Sequence, residues 1–381
     1  RAGTIDKLRH GYYSNVGSHH LYNDFCSGLY WRNKNRRLVS QALSVAQDQY
    51  NYLATRLVNW WQQFGRKHLP WQSNPSKYKT WISEIMLQQT QVTTVEPYFA
   101  RFMERFPTVT ELASSSLDEV LQLWSGLGYY ARARNIHRSA QFIVKQHQGE
   151  LPSDYDNLLT LPGIGKSTAG AILSLSGIEP KPILDGNVKR VVRRFFALNY
   201  EENSENLKLM KYKSNIFLSK NRHGDLAQAL MELGALVCKP TNPECVRCPL
   251  EKFCSFKKSN ISFTKKTKIN HKLKYVALCY LKKNSVLVTN KNPSGFLNDM
   301  LTVPMIKLTN FNKLNYKNNC EILNKEISHS ISNSNLKIKI ALSNKNINLP
   351  NHFWLDKKNI KKYPIPALTR KIFKAIDLDS K

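Results

Sequence analysis

Long apolar runs are missing from this chain of 381 residues. None approaches the roughly 20 residues that a membrane-spanning helix needs, and no secretory signal pattern opens the sequence. The apolar fraction of 41% is still enough to form a buried core, and the length suits two domains. We therefore expect a protein of the reducing cytosol with no membrane partner.

Acidic residues are also scarce, because 27 Asp and Glu stand against 57 Lys and Arg, a formal net charge of +30. A chain this basic is drawn to polyanions, above all to nucleic acid. Biased genome composition is the competing explanation, since lysine and asparagine dominate residues 259–381 and Arg370 is the only arginine there. Local basic motifs therefore carry more weight than the total charge.

Methionine is absent before Met86, and the chain opens at Arg1. A start at Met86 would remove half of a motif that begins at Ser83. We therefore expect the beginning of the sequence to be a fragment, an alternative start or a read-through product. Residues 1–44 are rich in Tyr, His, Ser and Asn without periodicity, and we assign this N-terminal extension no function.

Cysteine is sparse, but four of the seven cysteines cluster with the spacing C-x6-C-x2-C-x5-C. Thiolates this close suit a soft metal centre and can hold a [4Fe–4S] cluster. Structural zinc is the alternative, although only the central pair has the knuckle spacing that zinc sites use twice. A disulfide framework is disfavoured because the other three cysteines are scattered along a long chain. The candidate metal ligands are Cys238, Cys245, Cys248 and Cys254.

Strand patterns are missing until about residue 273. Before it, apolar residues recur at helical spacing, as in the stripe from Leu53 to Phe64, and predict an all-helical region over residues 45–256. A polar, basic linker follows at 257–272. Beyond it the period changes to two, which predicts a smaller α+β domain over 273–381 with a hairpin around Lys282-Lys283-Asn284.

The sharpest local motif is a glycine hairpin, LPGIGKST, which starts at Leu161 and separates predicted helices at 154–160 and 166–176. Glycines let backbone N–H groups approach a phosphate oxygen, and the next helix adds its positive dipole end. Such a hairpin holds duplex DNA by its backbone and reads no sequence. An ordinary interhelical turn is the alternative, whereas a P-loop needs four residues between its glycines. The candidate DNA contacts here are Gly163, Gly165 and Lys166.

One of the scarce acids, Asp185, follows the hairpin by about twenty residues. It can cap the next helix. Near a phosphate-binding hairpin, its charge can also stabilise the oxocarbenium ion that forms at a sugar C1′ as a base departs. Lys189 and Arg190 follow it and can reach phosphates.

A second acid, Glu84, lies on a helix that we predict from about Lys77 to Thr93, with Gln88 and Gln91 on the same face. Burial would raise its pKa and keep it protonated, as a proton donor requires. A solvated surface glutamate is the alternative. Glutamine amides beside it suit base edges better than solvent.

From about residue 59 to residue 254 the chain resembles the adenine DNA glycosylases of the MutY family, within the helix-hairpin-helix superfamily of endonuclease III. Besides the motifs above, the resemblance rests on Leu69-Pro70-Trp71 and on the phrase LWSGLGYYARAR from Leu123 to Arg134. The glutamine pair and the GLGYYARAR phrase are typical of the adenine-removing branch.

This resemblance implies an enzyme of base excision repair that removes adenine opposite 8-oxoguanine or guanine, after flipping it out of double-stranded DNA. A monomer at the bacterial nucleoid is expected. Glu84 would protonate N7 of the adenine and help to direct the nucleophile, and Asp185 would stabilise the cationic sugar. The cluster would be structural, and its loop would present cations to DNA. Asn187 and Ser167 complete the candidate catalytic set, and Gln88, Gln89 and Tyr129 would fill or probe the duplex.

A Schiff-base lysine is the last notable absence. Bifunctional relatives place it in the hairpin helix, where this chain has Ser167, and Lys166 points about 100° away. The resemblance therefore implies a monofunctional glycosylase with at most weak lyase activity. One alternative is an endonuclease III-like glycosylase/lyase for oxidised pyrimidines, and another is a DNA-binding protein that uses the cluster as a scaffold.

The C-terminal region resembles, more weakly, the Nudix-like 8-oxoguanine module of the family. Its segment Pro293-Ser294-Gly295-Phe296-Leu297 follows a hairpin, as the family motif Pro-Ser-Gly-Leu-Trp does, but it lacks the tryptophan of that motif. A later segment keeps His329 and Ser332, while Asn333 replaces a second histidine. The resemblance implies that His329 and Ser332 contact the oxidised base, with weakened discrimination. A diverged domain kept for stability and backbone affinity is the alternative.

Overall fold

A computed structural model shows two compact units, each built from two separate stretches of chain. The first unit comprises Arg1–Ile85 and Leu151–Phe263, and the second comprises Met86–Glu150 and Thr264–Lys381. Most of the N-terminal extension lies outside the described residues. These are residues 36–198, 204–214, 222–258, 271–295, 297, 300–313, 320–331, 334–345, 351–363 and 365–378.

Helices fill the described chain up to Lys258, as the apolar spacing predicts. No helix in these described stretches is long and apolar enough to cross a membrane. In chain order the helices are α1 (Arg36–Phe64), α2 (Lys77–Leu87), α3 (Val92–Arg105), α4 (Val109–Ser114), α5 (Leu117–Leu123), α6 (Ala131–His147), α7 (Tyr155–Thr160), α8 (Lys166–Leu175), α9 (Gly186–Phe195), α10 (Ser204–Ser214), α11 (His223–Leu236), α12 (Ser255–Lys258), α13 (Leu308–Lys313) and α14 (Ala367–Ala375).

The end of α1 is fixed by close contacts within the first unit. Gly65 N donates to Trp61 O at 2.8 Å, and a Cβ on Gly65 would lie 2.2 Å from Trp61 Cδ1, so only glycine fits. Arg66 then pairs with the buried carboxylate of Glu232 on α11 at 2.8 Å. In the apolar stripe of α1, Leu53, Leu57 and Trp60 are buried and Trp61 is half-buried. Phe64 in the last turn is 57% exposed, contrary to prediction.

The predicted helix over 77–93 is interrupted, and this prediction is wrong in its C-terminal part. α2 ends at Leu87, and α3 begins at Val92. Gln89 has a φ of 56°, a left-handed conformation that breaks an α-helix, and Thr90 N closes a turn on Leu87 O at 3.2 Å. Gln88 therefore follows the helix and does not share a helical face with Glu84.

The second unit contains a six-stranded sheet with the order β4-β5-β1-β2-β6, and β3 pairs with β1. β1 and β5 are parallel, and the other pairs are antiparallel. The predicted hairpin is present, with Lys283 at a φ of 48° between its strands. The change from helices to strands falls inside the predicted linker, although the predicted domain bounds stay a prediction. The strands are β1 (His271–Lys282), β2 (Ser285–Thr289), β3 (Met305–Lys307), β4 (Glu321–Ile331), β5 (Ser334–Ser343) and β6 (His352–Asp356).

Candidate active site and cluster loop

The glycine hairpin joins α7 to α8 in the first unit. Leu161 and Ile164 are buried and anchor the turn, and Ile164 N donates to Leu161 O at 3.1 Å. Gly163 has a φ of 82°, which favours glycine. Gly165 is the N-cap of α8 and offers no side-chain cap to its first N–H groups. Gly163, Gly165 and Lys166 are exposed, so this helix start is accessible to an anion.

Asp185 is the N-cap of α9 in the same unit. Its Oδ1 accepts a hydrogen bond from Val188 N at 2.7 Å, which fixes the carboxyl group. Burial raises its pKa, and the backbone donors of the first turn, Arg190 and Lys189 oppose this rise by stabilising the carboxylate. The helix start therefore holds a half-buried acid in one orientation.

Glu84 lies on α2 between the buried residues Ser83 and Ile85. Burial, and to a smaller extent the negative charge of Asp185, raises the pKa of Glu84 from 4.5 to about 8. The structure thus brings the two predicted acids close enough to interact. Glu84 is therefore protonated at neutral pH. Two neighbouring acids whose surroundings give them different pKa values are typical of sites that use one acid as a proton donor.

Arg190 was predicted to reach a phosphate, but its guanidinium already binds several protein acceptors. Asn187, a predicted catalytic residue, accepts one of these hydrogen bonds, and its Cβ lies so close to Gly234 that a Cβ there would be 2.6 Å away. Both residues thus fix α9 against α11, while Ser167 lies half-buried in the first turn of α8. The Arg190 acceptors are Cys238 O (2.7 Å), Gly234 O (2.6 Å), Asn187 Oδ1 (2.7 Å) and Gly186 O (3.2 Å).

The four clustered cysteines also belong to the first unit. Cys238, Cys248 and Cys254 pack against the core that α1, α9 and α11 form. Burial raises the pKa of the Cys248 thiol to about 12, and the other three cysteines add to this rise, so the four sulfurs lie near one another. Arg194 Nη1 donates to Cys238 Sγ at 3.3 Å, which suits a thiolate ligand.

Two observations bear on the group that these thiols would hold. Within the described part of the chain, no three His, Cys, Asp or Glu side chains lie close enough together to bind a single metal ion. A [4Fe–4S] cluster takes four thiolates as ligands, one on each iron, and the four neighbouring thiols match that donor set.

The loop that carries the first three cysteines, residues 238–248, also carries charged side chains. Glu244 pairs with both Lys239 and Arg247. Val246 beside them is 88% exposed, an unusual position for a large apolar side chain. This surface combines cations with an exposed apolar residue next to the cysteine site.

The remaining predicted site residues lie in the second unit. Gln89 and Tyr129 are exposed and have positive φ values of 56° and 47°. Gln88 is half-buried. His329 is half-buried on β4, where burial and the nearby Lys371 lower its pKa. Ser332 lies outside the described residues.

Sequence reasoning missed two buried arginines, Arg132 and Arg194. Both are less than 9% exposed and bind backbone carbonyl groups. Their signal in the sequence is an arginine at an otherwise apolar helix position, because a buried guanidinium needs several acceptors.

The helices, the exposed hairpin and the coupled acids define a DNA glycosylase of the helix-hairpin-helix class. The family model described as "HhH-GPD superfamily base excision DNA repair protein" matches residues 82–213. A solved structure described as a thermostable thymine-DNA glycosylase shares this fold with a TM-score of 0.51 and 23% identity, over 55% of this chain and 97% of that one.

Curated relatives narrow the class. The adenine DNA glycosylase of Buchnera aphidicola subsp. Baizongia pistaciae is 40% identical over 293 residues, 74% of this chain and 83% of that protein. The human adenine DNA glycosylase is 40% identical over 208 residues, 52% of this chain and 38% of that protein. The chain belongs to the adenine DNA glycosylase family and is a hydrolase of N-glycosyl bonds.

Proposed function

We propose that this enzyme removes adenine paired with 8-oxoguanine or guanine in duplex DNA, as a monomer that works on the DNA of the bacterial nucleoid. The observation that carries the proposal is the coupled pair of acids. Glu84 keeps its proton up to about pH 8 because the surrounding protein desolvates its carboxyl group and because Asp185 lies near it. A protonated acid beside a second carboxyl group is what the hydrolysis of an N-glycosyl bond requires.

In the proposed reaction Glu84 donates its proton to N7 of an extruded adenine. The C1′–N9 bond breaks, and its electron pair leaves with the base. Asp185, held by Val188 N, stabilises the positive charge on the sugar. Water then adds to C1′ and returns a proton to Glu84, so the products are free adenine and an abasic site.

The hairpin supplies the grip on the DNA backbone. A Cβ on Gly165 would meet no atom within 4 Å, so the fold itself does not require glycine at this position. A closely approaching phosphate would explain it, because a side chain there would block the N–H groups of α8. Lys166 is exposed, and Lys189 is half-buried near Asp185, so both can add positive charge. Four of the five N–H groups of Arg190 donate to the protein acceptors given above. Arg190 could contact a DNA phosphate only through the fifth.

Cys238, Cys245, Cys248 and Cys254 would hold a [4Fe–4S] cluster with a structural role. When bound, the cluster cross-links the loop to the helical core. The loop residues Lys239 and Arg247 then face DNA phosphates as a fixed pair, because Glu244 holds both.

Strand cleavage is not part of the proposal. A Schiff base needs a lysine amine where the hairpin helix has Ser167, and a hydroxyl group cannot form that imine. The base opposite adenine would be probed by Tyr129, Gln88 and Gln89, with a weaker contribution from His329 and Ser332.

Single-turnover cleavage of three duplexes tests the proposal. One contains adenine opposite 8-oxoguanine, one contains adenine opposite guanine, and the third contains an oxidised thymine. We expect removal of adenine from the first two only, and no covalent trapping on DNA with borohydride. Excision of the oxidised thymine together with borohydride trapping would assign the enzyme to the lyase branch instead.

A further inference from the structure

One buried guanidinium in the second unit holds two separate turns. Arg132 lies at the start of α6 and is 8% exposed. Burial lowers its pKa to about 10, so it stays charged at neutral pH. Its acceptors lie on both sides, at Met86 O (2.8 Å), Gln88 O (2.8 Å) and Thr90 Oγ1 (3.2 Å), and at Leu127 O (3.3 Å) and Gly128 O (3.2 Å).

In each turn, the residue directly after the carbonyl groups that Arg132 binds has an unusual backbone conformation. Gln89 follows Gln88 with a φ of 56°, and Tyr129 follows Gly128 with a φ of 47°. A left-handed backbone at a residue other than glycine is unfavourable and persists only where its surroundings impose it. The hydrogen bonds to the preceding carbonyl groups supply that constraint at both turns.

Arg132 and its acceptors form a clamp on the backbone, and the side chains of Gln89 and Tyr129 beside it reach the protein surface. Gln89 is exposed, and Tyr129 is 42% exposed, which is unusual for a large aromatic residue. The Arg132 guanidinium lies 5.5 Å from the centre of the Tyr129 ring and 5.4 Å from that of Trp124. Trp124 Nε1 in turn donates to Gly128 O at 3.0 Å. Tyr129 is therefore held in place both through its backbone and through its ring.

We propose that Arg132 is a positioning residue that fixes Gln89 and Tyr129 relative to each other as one probe of the base opposite adenine. This inference rests on the proposed function. Arg132 itself does not touch the reacting atoms. Its loss should therefore change the ratio of the excision rates opposite 8-oxoguanine and opposite guanine more than the rate of the chemical step itself. Lysine cannot replace it, because one ammonium group lacks the planar fork that reaches both turns.

A double-mutant cycle tests this coupling. Gln89→Ala, Tyr129→Ala and the double variant are prepared with Arg132 and again with Arg132→Lys. Single-turnover rates are measured for adenine opposite 8-oxoguanine and opposite guanine. With Arg132 present, the combined effect should differ from the product of the single effects by about fivefold or more on the 8-oxoguanine duplex. With Arg132→Lys the two effects should multiply to within about twofold.

Arg66→Lys is the matched control, since it weakens another buried arginine contact in the first unit. It should lower the melting temperature without changing the ratio of the two rates. If Arg132→Lys slows both duplexes equally and the coupling persists, Arg132 has only a structural role and the inference is wrong.

A readout on the free protein separates this inference from the proposed function. Amide hydrogen exchange should speed up together at residues 88–90 and 127–129 in Arg132→Lys. If the natural enzyme removes no adenine but this joint change occurs, the proposed function fails and the clamp stands. Faster exchange at only one turn contradicts the clamp, whatever the activity.

Discussion

Buried arginines organise the helical region, whereas the strand-rich region carries its positive charge on exposed lysines. Arg132 and Arg194 are 8% and 7% exposed and donate to backbone carbonyl groups. Between residues 271 and 378, the lysines whose side chains are described are exposed, apart from the half-buried Lys357. Arg370 is the only arginine of that region.

This difference shows that total charge is a poor guide to the working parts of the chain. The buried guanidinium groups shape turns and helix ends, and they are not available for general attraction to DNA. Exposed lysines contribute a screened attraction to phosphates that depends on salt and not on sequence. The helical region should therefore set the rate of excision and most of the choice of opposite base. The strand-rich region should add salt-dependent affinity and a smaller contribution to that choice.

The largest effects should come from the two coupled acids. Glu84→Gln removes the proton donor, and Asp185→Asn removes the charge that stabilises the sugar cation. We expect each to lower the single-turnover rate by about 10²–10⁴-fold, as for acid and electrostatic contributions generally. Affinity for the mismatch duplex should stay within about threefold of the unmodified enzyme, because neither side chain binds the backbone.

Unchanged rates in either variant would refute its assigned role. A matched change in the strand-rich region, Glu326→Gln, removes an exposed carboxylate that pairs with Lys337. It should leave the excision rate unchanged, because exposed ion pairs contribute little to stability.

Cys248→Ser should have the next largest effect. Its thiol interacts with the other three cysteines, and loss of one of four ligands should release the cluster. We expect iron and sulfide to be lost together with a lower melting temperature. Cys320→Ser is the control, since this cysteine lies outside the group, and retention of full iron content by Cys248→Ser would contradict the cluster assignment.

The two hairpin glycines should separate stability from DNA binding. Gly163→Ala places a side chain at a φ of 82°, so we expect a loss of about 1 kcal/mol of stability as well as weaker DNA binding. An alanine side chain at Gly165 meets no protein atom, so Gly165→Ala should lower the free energy of unfolding by less than Gly163→Ala does, through the poorer helix cap alone. Urea denaturation and DNA titrations measure the two quantities. Equal DNA affinity for Gly165→Ala and the unmodified protein would place the phosphate elsewhere.

The smallest effect should come from His329→Ala. This residue lies on β4 in the diverged region, so its loss should reduce the preference for 8-oxoguanine over guanine by about threefold or less, the cost of one modest contact. Rates on the two duplexes give this ratio. A loss as large as that of Glu84→Gln would mean that the strand-rich region takes part in the chemistry.

Local patterns predicted much of the fold. The helices predicted at 154–160 and 166–176 are confirmed to within one residue, because the glycine hairpin between them marks their limits. The hairpin around Lys283 is confirmed because alternating apolar residues flank a short polar turn. These features depend on residues that are neighbours in the sequence, so a local sequence pattern is enough to predict them.

Long-range contacts explain what could not be predicted. Gln89 interrupts the helix where Arg132, 43 positions later in the chain, binds the carbonyl groups of Met86 and Gln88 before the break and the hydroxyl group of Thr90 after it. Nothing near Gln89 in the sequence signals this. The coupling of Glu84 to Asp185 is likewise a product of folding, although the residue types suggested both acids.

The pH dependence of adenine removal tests the central claim most directly. The pKa of Glu84 is raised from 4.5 to about 8, so the acid is protonated below pH 8 and loses its proton above it. Measured on the 8-oxoguanine duplex below saturation, where the profile reports the free enzyme, the rate should hold near pH 7 and fall about tenfold per unit above pH 8. A rate that is unchanged to pH 9.5, or that already falls above pH 5, would contradict the role of Glu84 as the proton donor.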